Sequence, residues 1–447
     1  MNRCAVVLGA AFVAAGLAYA CSAGDGGGTT STPVEAGASA RVDSGTPGRP
    51  DGGGVREPPI PEGVPQGWVR DQTYDPSCLF YVPTNGAQLP PPPTWEACPS
   101  HALPTGTDCR LMAVDWTPVS QTDGGAAETG WYRADGSLVL AIRRAVNTPP
   151  NSMYELFTSP DGPVYSALLI TSHPTCSAAF ARGYDDRFVL GVYERGESRG
   201  GLFGRLDAVA PTVGVHLPKQ EISYAFYASA FGPIVGTISS NHFYSWEGSD
   251  LGAFWSRAQD DGLALGDVQA TATALFWPAS DQYRHKVNVY TPGGGVRSFL
   301  SKDFELDRGY TSLGTDGHDL VWLEGMGRPK GAALFDSLRI MTAPYTTDPA
   351  AVTPRRLRSE VGGVLSSADA FVVGCGHAAI STSEHIRVVR LSDGQSWILP
   401  KPESGPWSWR RPIAVTCDEI FAMATSAGAS RLARIRIDSL GPGIAAD

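Results

Sequence analysis

From about residue 130 to the C-terminus the chain repeats one pattern. Short runs rich in Val, Ile, Leu, Phe, Tyr and Trp are closed again and again by Gly, Asp, Pro or Ser, with no convincing amphipathic helix between them. Alternation with a period of two suits a half-buried strand, and tight polar punctuation suits a turn. Grouped in fours, the runs form sets that begin near residues 130, 176, 222, 268, 310, 361 and 411. Spacings of roughly 40 to 50 residues match one four-stranded repeat unit, which cannot bury its own faces and must stack on its neighbours. The 52 Gly and 35 Pro among 447 residues fit a chain that turns this often.

The expected architecture is all-β: a seven-bladed β-propeller with four-stranded blades over residues 111–440. A pair of β-sandwiches is the alternative, because alternating strands alone do not dictate closure. The fifth set reads most clearly. Asp316-Gly317-His318 is a tight turn that delivers the strand Asp319 to Glu324, and Leu338 to Thr342 supplies its neighbour. Similar pieces recur at Phe188 to Tyr193, Ile386 to Leu391 and Leu432 to Ile437. The last set is one strand short, and Leu111 to Trp116 is the run that would complete it and remove an open edge. Of the 11 Trp, Trp116, Trp131, Trp277 and Trp322 are assigned to packing between blades.

With this spacing, its Asp-Gly turns and the tetrapeptide Ser159-Pro160-Asp161-Gly162, the region 110–440 resembles the β-propeller domains of bacterial exported lipoproteins, including the Tol-system periplasmic repeats. Ser392-Asp393-Gly394-Gln395-Ser396-Trp397 resembles the Asp-box hairpin of sialidase propellers, one residue short between Asp and Gly. The resemblance implies a fold and no particular reaction.

The N-terminus gives an address. Met1 to Arg3 is a short basic start, and Ala5 to Ala20 is apolar and uncharged, the length of a signal-peptide core and short for a membrane span. Leu17-Ala18-Tyr19-Ala20-Cys21 resembles a bacterial lipoprotein box, which implies lipidation at Cys21; a plain signal-peptidase cut after Ala20 is the alternative. Residues 1–20 therefore read as signal peptide. Residues 21–57, built from Gly, Ser, Thr, Pro and Ala without an aromatic, read as a disordered tether. Its 36 residues beyond the Cys would reach roughly 33 Å as a coil. Residues 58–110 form a Pro-rich segment expected to pack on the ring. The expected location is outside the cytoplasm, in the outer membrane facing periplasm or cell surface.

Cysteine arithmetic agrees. Of eight Cys, Cys4 leaves with the signal and Cys21 takes the lipid, so Cys78, Cys98, Cys109, Cys176, Cys375 and Cys417 remain to form three disulfides in an oxidising compartment. The preferred pairs are Cys375 with Cys417, Cys78 with Cys98, and Cys109 with Cys176, among 15 possible arrangements.

Chemistry is harder to find. A net charge of −10 argues against nucleic acid as a partner. Gly196-Glu197-Ser198-Arg199-Gly200 matches a nucleophile elbow, but it joins two expected strands where the elbow requires a helix. The His residues are scattered, without H-E-x-x-H or paired C-x-x-C, and the Asp-rich turns lack EF-hand spacing, so no metal is expected. No Gly-Lys-Ser/Thr occurs and no Gly cluster opens a helix, so no cofactor is expected.

The reading is a lipid-anchored, non-catalytic binding or scaffold module for a protein, peptide or glycan. The alternative is a propeller-fold hydrolase or lyase acting on carbohydrate or peptide. Binding is expected on the rim carrying the longer connections (144–152, 194–201, 259–267, 325–334, 376–385 and 401–410), with Trp407, Trp409, His377, Arg328 and Asp261 as contacts.

Overall fold

The computed structural model describes residues 66–446 apart from inter-strand segments, of which the longest are 71–78, 114–125, 257–267 and 327–333. The chain divides into Met1–Pro61, which lies outside the described residues together with the expected signal, Cys21 and tether, and Glu62–Asp447.

The second unit is all-β. Its first strands are β1 (Trp68–Arg70), β2 (Leu79–Pro83), β3 (Thr94–Ala97) and β4 (Cys109–Ala113). The first repeat follows as β5 (Ala126–Tyr132), β6 (Leu138–Ala145), β7 (Ser152–Thr158) and β8 (Val164–Thr171). The second is β9 (Cys176–Phe180), β10 (Arg187–Glu194), β11 (Glu197–Arg205) and β12 (Val213–His216). The third is β13 (Ser223–Tyr227), β14 (Ile234–Thr237), β15 (Ser240–Tyr244) and β16 (Asp250–Ser256). The fourth is β17 (Gln269–Ala270), β18 (Leu275–Ser280), β19 (Arg284–Thr291) and β20 (Gly295–Asp303). The fifth is β21 (Arg308–Thr315), β22 (Asp319–Met326), β23 (Leu334–Pro344) and β24 (Arg355–Leu365). The sixth is β25 (Phe371–Gly374), β26 (His377–Ser381), β27 (His385–Arg390) and β28 (Ser396–Pro400). The last is β29 (Trp407–Val415), β30 (Glu419–Ser426) and β31 (Ala429–Arg436).

Each repeat is one antiparallel sheet of consecutive strands, giving seven sheets among the described residues. From β9 to β31 each sheet is a simple meander of strands consecutive in the chain. The three-stranded last repeat gains β4 as its fourth strand, with Leu111 opposite Ala433, as the missing-strand argument expects. The described strands of the Pro-rich segment join two of these sheets. Its strands β1 and β2 extend the first sheet beyond β8, and β3 extends the last beyond β4.

The repeat boundaries differ from the expected ones where strands are longest. Val361 does not open the sixth repeat; it lies in β24, paired with Ser337, and the sixth repeat begins at Phe371. The eleven-residue strands β23 and β24 lengthen the fifth repeat and move the next start. Likewise Arg411 lies inside β29, and the expected loops 376–385 and 401–410 are in part strands β26 and β29.

The core lies between sheets. Trp131, Val139 and Leu156 of the first sheet cluster with Phe188 and Leu206. Trp277 packs with Trp255, and Trp322 with Phe276 and Phe299. These three Trp are buried as expected; Trp116 lies outside the described residues. Each large indole removes apolar area from two sheets at once.

The expected tight turns are present and fasten neighbours. Asp316 Oδ1 accepts from the N–H groups of His318 and Asp319, while its Oδ2 accepts from Gly376 N–H in the sixth sheet at 2.9 Å. Trp131 Nε1 donates to the Asp185 carbonyl of the second sheet, and the Tyr132 hydroxyl to the Val415 carbonyl of the last. In Phe231-Gly232-Pro233, Gly232 has φ +120°, and a Cβ there would lie 2.2 Å from the Tyr244 carbonyl oxygen, so only glycine fits.

Candidate binding site

A candidate site lies on the last sheet. Strand alternation gives it two faces. Ile420, Ala422, Ala433, Ile435, Leu111 and Cys109 point into the core shared with the sixth sheet. On the other face Phe421, Leu432 and Met112 are fully buried against Leu138, Leu140 and Ile142 of the first sheet. Moving along that second face in steps of two, the chain leaves the core and places Glu419 on β30, Arg434 and Arg436 on β31, Arg110 on β4 and Trp95 on β3.

These five residues and Asp108 line an open cavity of about 280 Å³. Arg434 lies opposite Arg110, and Arg436 opposite Glu419. The Arg434 guanidinium carbon sits 4.9 Å from the Trp95 ring centroid, a cation–π contact that orients it. Arg110 Nε is 3.5 Å from Asp108 Oδ1. Arg436 grips Asp438 with two hydrogen bonds, Nε to Oδ1 at 3.1 Å and Nη2 to Oδ2 at 2.6 Å. Arg436, bonded in this way, holds the Asp438 carboxyl below its ordinary range.

The frame is tied down. Cys98 and Cys109 form a disulfide with Cα atoms 5.4 Å apart, which clips β3 to β4 beside Trp95. Ser439 Oγ accepts from Asp108 N–H and donates to the Arg436 carbonyl. Three guanidinium groups and the carboxylates of Asp108 and Glu419 therefore line one cavity. Guanidinium groups stay protonated at any physiological pH and hold anions without passing on protons.

Of the residues expected to bind, the described Trp409 and His377 do not line this cavity. Trp409 is 1% exposed in the core between the sixth and last sheets, so it is a packing residue and no ligand contact. Alternation along β29 turns its indole inward, where a loop would have left it exposed. Trp407 opens the same strand. His377 begins β26 with 9% exposure, its Nδ1 bonded to the Cys375 carbonyl at 3.0 Å and its ring 6.1 Å from Trp397. Burial pulls its pKa below the usual histidine value. Arg328 and Asp261 lie outside the described residues. The cavity is on the side of the short turns, beside Thr416 to Asp418, whereas the longer connections were expected to bind.

The cysteines are partly reassigned. Cys375 pairs with Cys417, Cα to Cα 5.0 Å, as expected. Cys98 pairs with Cys109 and not with Cys78, so Cys109 is not bonded to Cys176. The cause is the β3–β4 hairpin, whose backbone bond from Cys98 N–H to the Cys109 carbonyl sets the two side by side. Cys78 and the side chain of Cys176 lie outside the described residues. Ser198 is a strand residue of β11, opposite Tyr193 at a bulge, with no helix following. Among the described residues no group of three or more His, Cys, Asp or Glu is placed to hold a metal ion.

No protein-family model matches the chain, and no curated protein does. Among solved structures it is similar to the WD40 domain of Neurospora crassa Pan2, at 11% identity over 69% of this chain and 89% of that one, with a TM-score of 0.43. The Dos1 propeller is similar at 9% identity, 82% and 91% coverage and TM-score 0.42. A putative TolB from Agrobacterium tumefaciens is similar at 10% identity, 68% and 84% coverage and TM-score 0.29. At this distance the likenesses carry no statement of ligand or activity.

Proposed function

We propose that this chain is an exported, lipid-anchored β-propeller that works as a non-catalytic binding or scaffold module of the bacterial envelope. In this reading the seven sheets are blades of one closed ring. It is supported by contacts that pass from sheet to sheet in chain order, from β5 to β9, β10 to β13, β16 to β20, β18 to β21, β21 to β25 and β25 to β29, and return from β29 to β5. Strand β4 then serves as the closing strand, leaving the ring without an open end.

The observation that carries the binding reading is the groove of Trp95, Arg110, Arg434 and Arg436 on a rigid sheet. The basic start, the apolar run, Cys21 and the Gly-rich tether support the anchor.

The test uses the full chain with its leader, expressed in a Gram-negative host. The wild type should fractionate with membranes and carry a diacylglyceryl mass on an N-terminal Cys21 peptide. Cys21→Ala should release the protein. Retention of the variant in membranes, or an unmodified Cys21, would overturn the anchor.

A further inference from the structure

We infer that Ser240 is an acyl-acceptor site, a serine activated by His242 and Asp250 that takes the acyl group of an activated ester. The assignment goes beyond the binding-module reading and does not depend on it.

Ser240 and His242 stand two residues apart on β15, so both side chains lie on one face of the third sheet. Ser240 Oγ is 2.9 Å from His242 Nε2, and His242 Nδ1 is 3.1 and 3.0 Å from the two oxygens of Asp250. A carboxylate can only accept, so Nδ1 carries the ring proton of the neutral imidazole and Nε2 is left as the acceptor. The serine hydroxyl is then the donor, aimed at the base that would remove its proton. Nucleophile, general base and orienting carboxylate stand in sequence.

The hairpin is shaped to bring the three together. Asp250 lies on β16 opposite Tyr244, and register shifts fall on both sides of His242, between Asn241 and His242 and between Phe243 and Tyr244. Bulges bend a strand and re-aim its side chains. Gly252, with φ +101°, stands at the second shift, and its N–H donates to Asp250 Oδ1 at 2.7 Å, which fixes the carboxylate. Ser245 holds the turn between the strands, its Oγ accepting from the N–H groups of Glu247 and Ser249.

Stability accounts for little of this arrangement. The side chains of His242 and Asp250 are 24% and 46% exposed, and charge pairs in contact with water contribute little. The same exposure lets a small ester in solution reach the half-buried Ser240. In the step, Ser240 Oγ bonds to the ester carbonyl carbon and its proton passes to Nε2. The bond from that carbon to the leaving oxygen breaks, the leaving group departs with the electron pair, and the proton on Nε2 goes to it or to water. These three residues supply a nucleophile and a base but no donor for the oxyanion, so the ester needs a good leaving group.

The test incubates the folded chain with p-nitrophenyl acetate and maps acetylated peptides by mass spectrometry. Ser137, whose hydroxyl donates directly to Asp135, is the control within the same chain. Ser240 should acetylate about a hundredfold or more faster than Ser137, the low end of what general-base assistance supplies. His242→Gln, which removes the base, and Asp250→Asn, which removes a positioning residue, should each cut this ratio about tenfold or more while the melting temperature stays near that of the wild type. The comparison of the two serines in the wild type needs no variant to fold.

Equal acetylation of the two serines, no acetylation of Ser240, or an undiminished ratio in both folded variants would overturn the assignment. Release of p-nitrophenolate well past one equivalent per chain, lost in Ser240→Ala, would uphold Ser240 as the nucleophile and overturn the non-catalytic reading of the protein.

Discussion

Leu111 faces Ala433 across β4 and β31, so the strand that completes the last sheet comes from near the start of the described chain. With β3 on its other side, β4 is an interior strand whose N–H groups are used within the sheet. Leu111 is also 4% exposed in the core shared with the sixth sheet. Leu111→Pro removes a donor and forces the chain out of register, so it should lower unfolding free energy by about 2 kcal/mol or more. Urea denaturation followed by tryptophan fluorescence measures this; an unchanged midpoint would show that β4 contributes nothing to the fold.

Trp409 is a structural residue. Its truncation to Ala leaves a large hole between Val415, Ala424 and the sixth sheet, at a cost of about 3–5 kcal/mol. The expected result is a lowered melting temperature, read by circular dichroism. An unchanged melting temperature would show that Trp409 does not serve the core.

The disulfides should differ in their contribution. Cys375–Cys417 closes 42 residues and Cys98–Cys109 closes 11, so the loop-entropy argument assigns about 4 kcal/mol to the first and about 3 kcal/mol to the second. Non-reducing peptide mapping should recover both pairs, and, if the chain is exported, a third linking the two cysteines left over, Cys78 and Cys176. Recovery of Cys78 linked to Cys98 would contradict the β3–β4 hairpin.

His377 makes stability depend on pH with a definite sign. Burial lowers its pKa in the folded state, so the unfolded chain takes up the proton first as pH falls through about 6.5. Stability should therefore decline from that pH down to the folded-state pKa and level off below it, as far as this group is concerned. The difference in urea midpoint between pH 7.5 and 5.5 should shrink in His377→Asn, which removes the titration and keeps a donor for the Cys375 carbonyl. An identical difference in the variant would place the acid sensitivity elsewhere.

Local chemistry alone determined much of this protein. The strand type and repeat length follow from period-two alternation. Turns such as Asp316-Gly317-His318 follow from residues that satisfy their own backbone, and the missing strand follows from counting. These properties depend on a few neighbouring residues, so the sequence displays them directly. Tertiary structure decided the rest. The fifth repeat runs to Leu365 because β24 stays paired with β23 from Arg355 to Leu365, which no local signal announces. Cys98 meets Cys109 because a hairpin folds back between them. The groove needs still more: Arg110 and Arg434 meet only through the β4–β31 register, and Trp95 joins them through β3. The alternation of Arg434 and Arg436 with Ile435 hinted at a polar strand face, but a site made by pairing segments so far apart in the chain exists only once the sheet has formed.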